Sequence, residues 1–334
     1  MAKKESWTPN EVINLFRIQK TKTALYKDES NGLIPEATRI ERGKTYIRSW
    51  KLNDLPLIGE KHGFIKKPKS QKIISIYTPK GGVLKTTFSF NLARMLALHN
   101  IKVLVIGLDV QCSITNNLMI DLDEEISSLD EIPQYFGLYD AAKNDQSVDI
   151  ENLIIKSDLN NLHFIPESTS LNLLEQTIRD KTKREYFLSK LLNPIKNDYE
   201  IIIFDNSPNW NFLIQNSLAM ATDVISPISC DIETYRSLTQ NIEMINNFKN
   251  NMDLVWNSFT LIPTKLERTK LSTQIEAQYR GLFPDLITST SIRSASIGQE
   301  SSLEKVSVIE YDSRSPLADD YYSLMSDLSK IIGF

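Results

Sequence analysis

Nine residues constrain this chain more than any others: Pro79-Lys80-Gly81-Gly82-Val83-Leu84-Lys85-Thr86-Thr87. Their weight comes from what flanks them. Ile73 to Tyr77, just before, is a short apolar run suited to a buried strand, and Thr86 to His99 carries Phe90, Leu92, Ala93, Leu96 and Ala97 at helical spacing. A strand, a glycine-containing loop and a helix start, in that order, make a cradle for phosphate. The glycines let backbone N–H groups converge on phosphate oxygens, and the helix end adds partial positive charge. Lys85 is then placed to reach the β- and γ-phosphates and Thr86 to ligate magnesium, so Gly81, Gly82, Val83, Leu84, Lys85, Thr86 and Thr87 form the expected nucleotide-binding set. A glycine-rich turn can also be a plain strand-to-helix connection. The Lys-Thr pair in this setting favours the phosphate reading.

Further apolar runs at Lys102 to Leu108, Ile201 to Phe204 and Val224 to Ile228 read as strands covered on both faces, as parallel strands are. With the helix between the first two they form a right-handed βαβ unit. The expected fold class is α/β: a P-loop NTPase with a mostly parallel, doubly wound sheet, plus a small N-terminal domain. Asp109 and Asp205 end two of these strands, the edge at which open α/β sheets bind ligands. Each could instead be a solvated loop residue or a helix cap.

The loop KGGVLKTT resembles the deviant Walker A loop, KGGVGKTT, of the ParA/MinD family of ATPases. The resemblance implies ATP and Mg2+ as cofactors and a homodimer in which Lys80, matching the family's extra lysine, joins the nucleotide-binding set by touching the phosphates of the partner's ATP. Leu84 stands where the family has glycine. If the backbone there is left-handed, a branched side chain strains it by ~1 to 3 kcal/mol. VLVIGLDVQCSIT is similar to the family's VLLIDLDPQGNAT-like segment, which places Asp109 as the acidic residue beside magnesium or the attacking water. Family members usually have another Asp where Gly107 stands, and Pro and Gly at the positions of Val110 and Cys112. YEIIIFDNSPNW resembles the Walker B segment and gives Asp205 to the metal's surroundings. The resemblance runs from Ile73 to Leu328 and includes SLAMATDVISPIS, LIPTKLERTKLSTQIEAQY and the final Ser-Pro turn with its terminal helix. By the same resemblance, Arg268, Arg280 and Arg293 are expected sequence-independent DNA contacts, and each alone could equally be a surface arginine.

The first 72 residues carry 16 Lys+Arg against 8 Asp+Glu, while the whole chain has a net charge of -4. Such an excess at one end suits a polyanion, or a merely solvated face. Lys66-Lys67-Pro68-Lys69-Ser70 reads as a linker, giving domains at 1–69 and 70–334. Thr8-Pro9-Asn10-Glu11 is a capping box that starts a helix turning Val12, Ile13, Leu15 and Phe16 inward, and a second helix fits Thr21 to Asp28. Gly32-Leu33-Ile34-Pro35, a basic hairpin from Arg39 to Arg48 with Gly43 at its turn, and a helix near Leu52 to Ile58 complete the order. The order is similar to a MerR-like winged helix-turn-helix, which implies DNA contacts from Lys20, Lys22, Arg39, Arg42, Lys44 and Arg48. A small helical docking domain is the alternative.

Two cysteines, Cys112 and Cys230, with no Cys/His cluster, argue against a disulfide framework or a structural metal site. No apolar segment at the N-terminus resembles a leader and no run approaches a membrane span, so a cytoplasmic, nucleoid-associated protein is expected. Leu324, Leu328 and Ile331 read as the core face of the last helix, unlike the basic amphipathic ending of MinD relatives. The expected function is an ATP-dependent DNA partition ATPase stimulated by a ParB-like partner, and also an autoregulator. The alternative is a DNA-binding transcriptional regulator whose ATPase domain hydrolyses poorly because of Leu84.

Overall fold

The computed structural model describes residues 4, 6–42, 45–119, 135–143 and 148–334. The first unit opens with β1 (Ser6–Trp7) and α1 (Pro9–Leu15). Proline at the first helical position and the Glu11 carboxylate, which accepts from the Thr8 N–H at 2.8 Å and hydroxyl at 2.7 Å, fix where α1 starts. Helix α2 (Lys22–Ser30) begins behind Thr21, whose hydroxyl accepts from the Ala24 N–H. Strands β2 (Thr38–Arg42) and β3 (Thr45–Lys51) pair antiparallel, and β1 adds to the other edge of β3. Gly43 and Lys44, the expected turn, lie outside the described residues, as does the Arg42 side chain. Trp50, in β3, is fully buried and its indole N–H donates to Pro35 O at 2.8 Å. Helix α3 (Leu55–His62) follows a 3-10 turn at Leu52–Asp54.

The second unit alternates strand and helix, as the apolar runs predict. Its elements are β4 (Lys72–Ile76), α4 (Lys85–Leu98), β5 (Val103–Leu108), α5 (Ser113–Leu118), α6 (Leu138–Ala142), β6 (Ile155–Lys156), β7 (Leu162–Ile165), α7 (Leu171–Arg179), α8 (Phe187–Leu191) and β8 (Ile201–Asn206). They continue with α9 (Phe212–Met220), β9 (Asp223–Ser229), α10 (Ile232–Asn251), β10 (Ser258–Thr264), α11 (Lys270–Leu282), α12 (Ile297–Leu303), α13 (Val308–Tyr311) and α14 (Pro316–Ile332). Seven strands form one sheet in the order β10-β9-β4-β8-β5-β7-β6, parallel throughout except where β6 meets β7. Every residue of β5, β8 and β9 is buried, which is why β5 and the Ile201 to Phe204 stretch of β8 run without polar alternation. Chain direction of the crossovers reverses about β4, so the loop after β4 opens at a topological switch point.

The last helix departs from expectation in one residue. Leu324 and Leu328 are fully buried, but Ile331 is 41% exposed and Ile332, at 3%, takes the inward place. Four residues per step from Leu328 keeps the helical stripe on the core, whereas three steps off it here.

The two units share one continuous apolar core. Helix α3 lies so close to the end of α4 that a Cβ on Gly59 would sit 2.0 Å from Leu98 O. Phe16 and Phe64 present their edges to His99, with centroids 5.5 and 5.1 Å away. The Tyr322 hydroxyl of α14 donates to Leu15 O at 2.9 Å, and Arg17 stacks over the Tyr322 ring while pairing with Asp319. Farther along α4, Arg94 is 1% exposed and holds both Glu310 and Asp158 in paired hydrogen bonds of 2.7 to 3.2 Å.

Candidate active site

The phosphate loop leaves β4 and is pinned at both sides. Thr78 donates to Pro227 O at 2.7 Å, and Thr264 at the end of β10 donates to Val83 O at 3.0 Å. Gly82 has φ +72° and nothing near its Cα that would obstruct an incoming group. Leu84 is also left-handed, at φ 68° and ψ 28°, and caps α4. Glycine adopts that conformation at little cost, whereas leucine there stores roughly 1 to 2 kcal/mol. The strain expected from the sequence is therefore present. The Lys85 ammonium is buried and donates to Lys80 O at 2.6 Å, folding the loop around the space in front of the α4 N-terminus. Burial lowers its pKa, against the pull of Asp205 and Asp109.

Asp205 lies directly below. It is 1% exposed and accepts from the Thr86 hydroxyl at 2.8 Å and from Ser89 at 2.6 Å. Burial pushes its carboxyl up to about 6, with the two hydroxyls and Lys85 pulling the other way. Asp109 sits where β5 ends, half-buried, its carboxylate accepting from the Gln111 N–H at 3.0 Å. Its charge is felt at both Lys85 and Asp205. Hydroxyl and carboxylate oxygens of this kind suit Mg2+, which is usually held by one or two carboxylates together with phosphate oxygens and water. Among the described residues there is no cluster of three carboxylate, His or Cys ligands, so phosphate would have to complete the shell.

A third carboxylate was not visible in the sequence. Glu167, two residues past β7, is 6% exposed and bonds to the backbone of Asp109 and to Thr115. Burial, reinforced by the charge of Asp205, raises its carboxyl to about 8. The Pro166-Glu167 pair closing an apolar run, together with a glycine at residue 107, was the signal available. Lys80 is held within its own chain: its ammonium is 3.1 Å from both Asp231 and Glu233. Burial opposes the charge on Lys80, and the two carboxylates outweigh it and raise its pKa.

The expected DNA contacts fall into two kinds. Arg268 is exposed on a 760 Å3 cavity that it shares with Arg293 and with Arg314, which the sequence reading passed over. Arg280, by contrast, spends its donors on Glu276, Thr288 O, Ser289 O and Ser291, and Arg293 forms a two-pronged pair with Asp320 at 2.7 Å. In the first unit Lys22 and Arg39 are exposed, and Lys20 is exposed but 3.2 Å from Asp28. Arg48 faces Arg39 across the hairpin, lies over the Tyr26 ring at 4.2 Å and approaches Glu29 at 2.8 Å.

The AAA_31 family model, described as an AAA domain, matches residues 71–258. The chain is 30% identical over 262 residues to the sporulation initiation inhibitor protein Soj of Bacillus subtilis, covering 77% of this chain and 98% of that one. It is 27% identical over 261 residues to the chromosome partitioning protein ParA of Myxococcus xanthus, covering 78% and 88%. Among solved structures it resembles a putative plasmid partition protein of Borrelia burgdorferi B31 bound to AMPPNP, with 24% identity, TM-score 0.61, and 78% and 99% of the two chains covered.

Proposed function

Because the chain belongs to the AAA_31 family of P-loop ATPases, close to the ParA/Soj partition proteins, we propose that it is a DNA partition ATPase that dimerises on ATP. ATP and Mg2+ are its cofactors. The observation that carries this reading is the convergence of Lys85, Thr86 and Asp205 at the N-terminus of α4. When phosphate enters the loop, Lys85 exchanges its bond to Lys80 O for phosphate oxygens, and Val83 to Thr87 present backbone N–H groups. Thr86 and Asp205 would hold Mg2+, which would supply charge neutralisation at the nucleotide's phosphates. Asp109 would orient the attacking water. Lys80 leaves Asp231 and Glu233 to reach the nucleotide of a second copy.

Residues 1–69 act as a winged helix-turn-helix DNA-binding domain and 70–334 as the ATPase. The antiparallel β2–β3 ribbon behind α2, with exposed Arg39 and the basic excess of this region, supports that reading. Lys20, Lys22, Arg39, Arg42, Lys44 and Arg48 are its contacts, and Arg268 is the arginine on the ATPase unit best placed for phosphate. A ParB-like protein is the stimulating partner. No helix among the described residues is long and apolar enough to cross a membrane. The second reading, a regulator with a poorly turning-over ATPase, draws on the left-handed Leu84.

ATP turnover measured with and without DNA tests the proposal. Lys85→Ala should suppress nucleotide binding by tenfold or more, on the order of 1.4 kcal/mol. Lys80→Ala should leave nucleotide binding by the monomer near wild type and abolish ATP-driven dimerisation in sedimentation. Turnover that is absent in wild type under all conditions would favour the second reading.

A further inference from the structure

At residue 107, one position from the C-terminal end of β5, the chain has no side chain. Gly107 is paired with Asp205 across the β5–β8 ladder, and paired residues of neighbouring strands point to the same face. A side chain at 107 would therefore stand beside Asp205, toward α4. That space is filled from the loop after β7. A Cβ on Gly107 would lie 2.3 Å from Glu167 Cγ and Cδ and 2.4 Å from Oε1, distances no two such atoms share.

The carboxylate so placed spans the segment that carries Asp109. Its Oε1 accepts from the Asp109 N–H at 3.2 Å, and its Oε2 accepts from the Thr115 N–H and hydroxyl at 3.2 Å each. The Glu167 N–H in turn donates to Thr115 Oγ1 at 2.7 Å. One buried side chain thus holds the exit from β5 and the first turn of α5 together. Both oxygens of the side chain serve as acceptors, so an amide, with one oxygen in place of two, could not make the same clamp. Two of its three partners are backbone N–H groups, so it bears directly on where the main chain of residues 109 to 115 runs.

We propose that Glu167 is a positioning residue for nucleotide hydrolysis, reaching from the loop after β7 into the space left at Gly107 to hold Asp109 toward the phosphate loop. The proposal rests on the ATPase reading above. Gly107 and Glu167 form one unit in which the glycine is required because the glutamate is there. A side chain that merely fills space would leave catalysis to other groups, and the two roles separate experimentally.

The test is a double-mutant cycle in the full chain with Glu167→Ala, Gly107→Asp and the pair together, and Glu167→Gln as the variant that keeps volume. Melting temperature, kcat and KM for ATP, and the affinity for a fluorescent ADP with and without Mg2+ are measured. Glu167→Ala and Glu167→Gln should each lower kcat by about tenfold or more while KM and Mg2+-free ADP affinity move by less than about threefold. Both should also weaken the gain in ADP affinity that Mg2+ brings. Gly107→Asp alone should lower the melting temperature by collision with Glu167, and adding Glu167→Ala should restore it and recover kcat above that of Glu167→Ala alone. Unchanged kcat and an unchanged Mg2+ gain in the folded Glu167→Gln protein would overturn the proposal, as would strictly additive effects in the cycle. If wild type hydrolyses no ATP, the ATPase reading falls on that result. The Mg2+ gain and the thermal coupling between 107 and 167 then decide the role of Glu167 by themselves.

Discussion

Leu84 shows how a single side chain can carry strain without closing a site. Its left-handed φ of 68° is part of the folded loop. Relief of that strain by Leu84→Gly should therefore act on the folded protein before it acts on binding. Glycine removes roughly 1 to 2 kcal/mol of conformational cost, and the looser unfolded chain takes back about 0.5 to 1 kcal/mol. The expected outcome is a melting temperature higher by on the order of 2 °C, with ADP affinity within about threefold of wild type. Calorimetry and nucleotide titration on the same preparation check it. Affinity that rises tenfold at constant melting temperature would mean the strain develops only when phosphate arrives.

Helix α4 links the phosphate loop to the first unit along one rod. Its first turn presents Lys85 and Thr86 to the phosphate site, its middle is held by the Arg94 network, and its last turn is clasped by Gly59, Phe16 and Phe64 of the first unit. His99 closes that clasp as a neutral ring. Its Nδ1–H donates to Met95 O at 2.7 Å, while Nε2 is buried without a partner, facing the aromatic edges and the backbone at Gly63. Burial holds its pKa down to about 4, and Lys66 adds to the effect. The unfolded chain, with an ordinary histidine value of 6.5, takes up the proton first as pH falls. Stability contributed by neutral His99 is thus complete above about pH 6.5 and is lost as pH drops toward 4, by up to about 3 kcal/mol. Urea unfolding between pH 7 and pH 4.5 should show that slope, and His99→Leu should flatten it. An identical slope in the variant would place the acid sensitivity elsewhere.

At the scale of the whole molecule, the docking of the two units changes what a deletion can reveal. Removal of residues 1–69 would uncover the apolar surface of α4 and α14 on which Phe16, Ile58 and Phe64 pack. Exposed patches of that kind promote association. The truncated ATPase unit should accordingly be less stable and form aggregates, visible by light scattering, even if its phosphate loop is intact. Point changes on the exposed face of the first unit, such as Arg39→Ala with Lys22→Ala, leave the interface alone and should lower specific DNA binding without altering the melting temperature. A truncated protein that stays monomeric and melts like wild type would show that the interface contributes little.

The nine residues from Pro79 to Thr87, the strand before them and the helix after them are contiguous, and their chemistry is local. Backbone turns, helix capping and the reach of one lysine depend on near neighbours, so the phosphate loop, the α/β class and the starts of α1 and α4 were legible in the order of residues alone. The carboxylates Asp109 and Asp205 were legible because each ends a strand whose apolar run announces it. Glu167 was not, because its partner Asp109 is 58 positions away and the sheet register alone brings β7 beside β5. The same holds for Arg280 and Arg293. Their charge can be read from the chain, but whether a guanidinium is free for phosphate or already bound to Glu276 or Asp320 depends on which loops fold together. The basic end and its linker suggested a separate body, yet Gly59 against Leu98 and Tyr322 against Leu15 join it to the rest. Local periodicity determines which faces are apolar, and only the packed structure decides which of those faces meet.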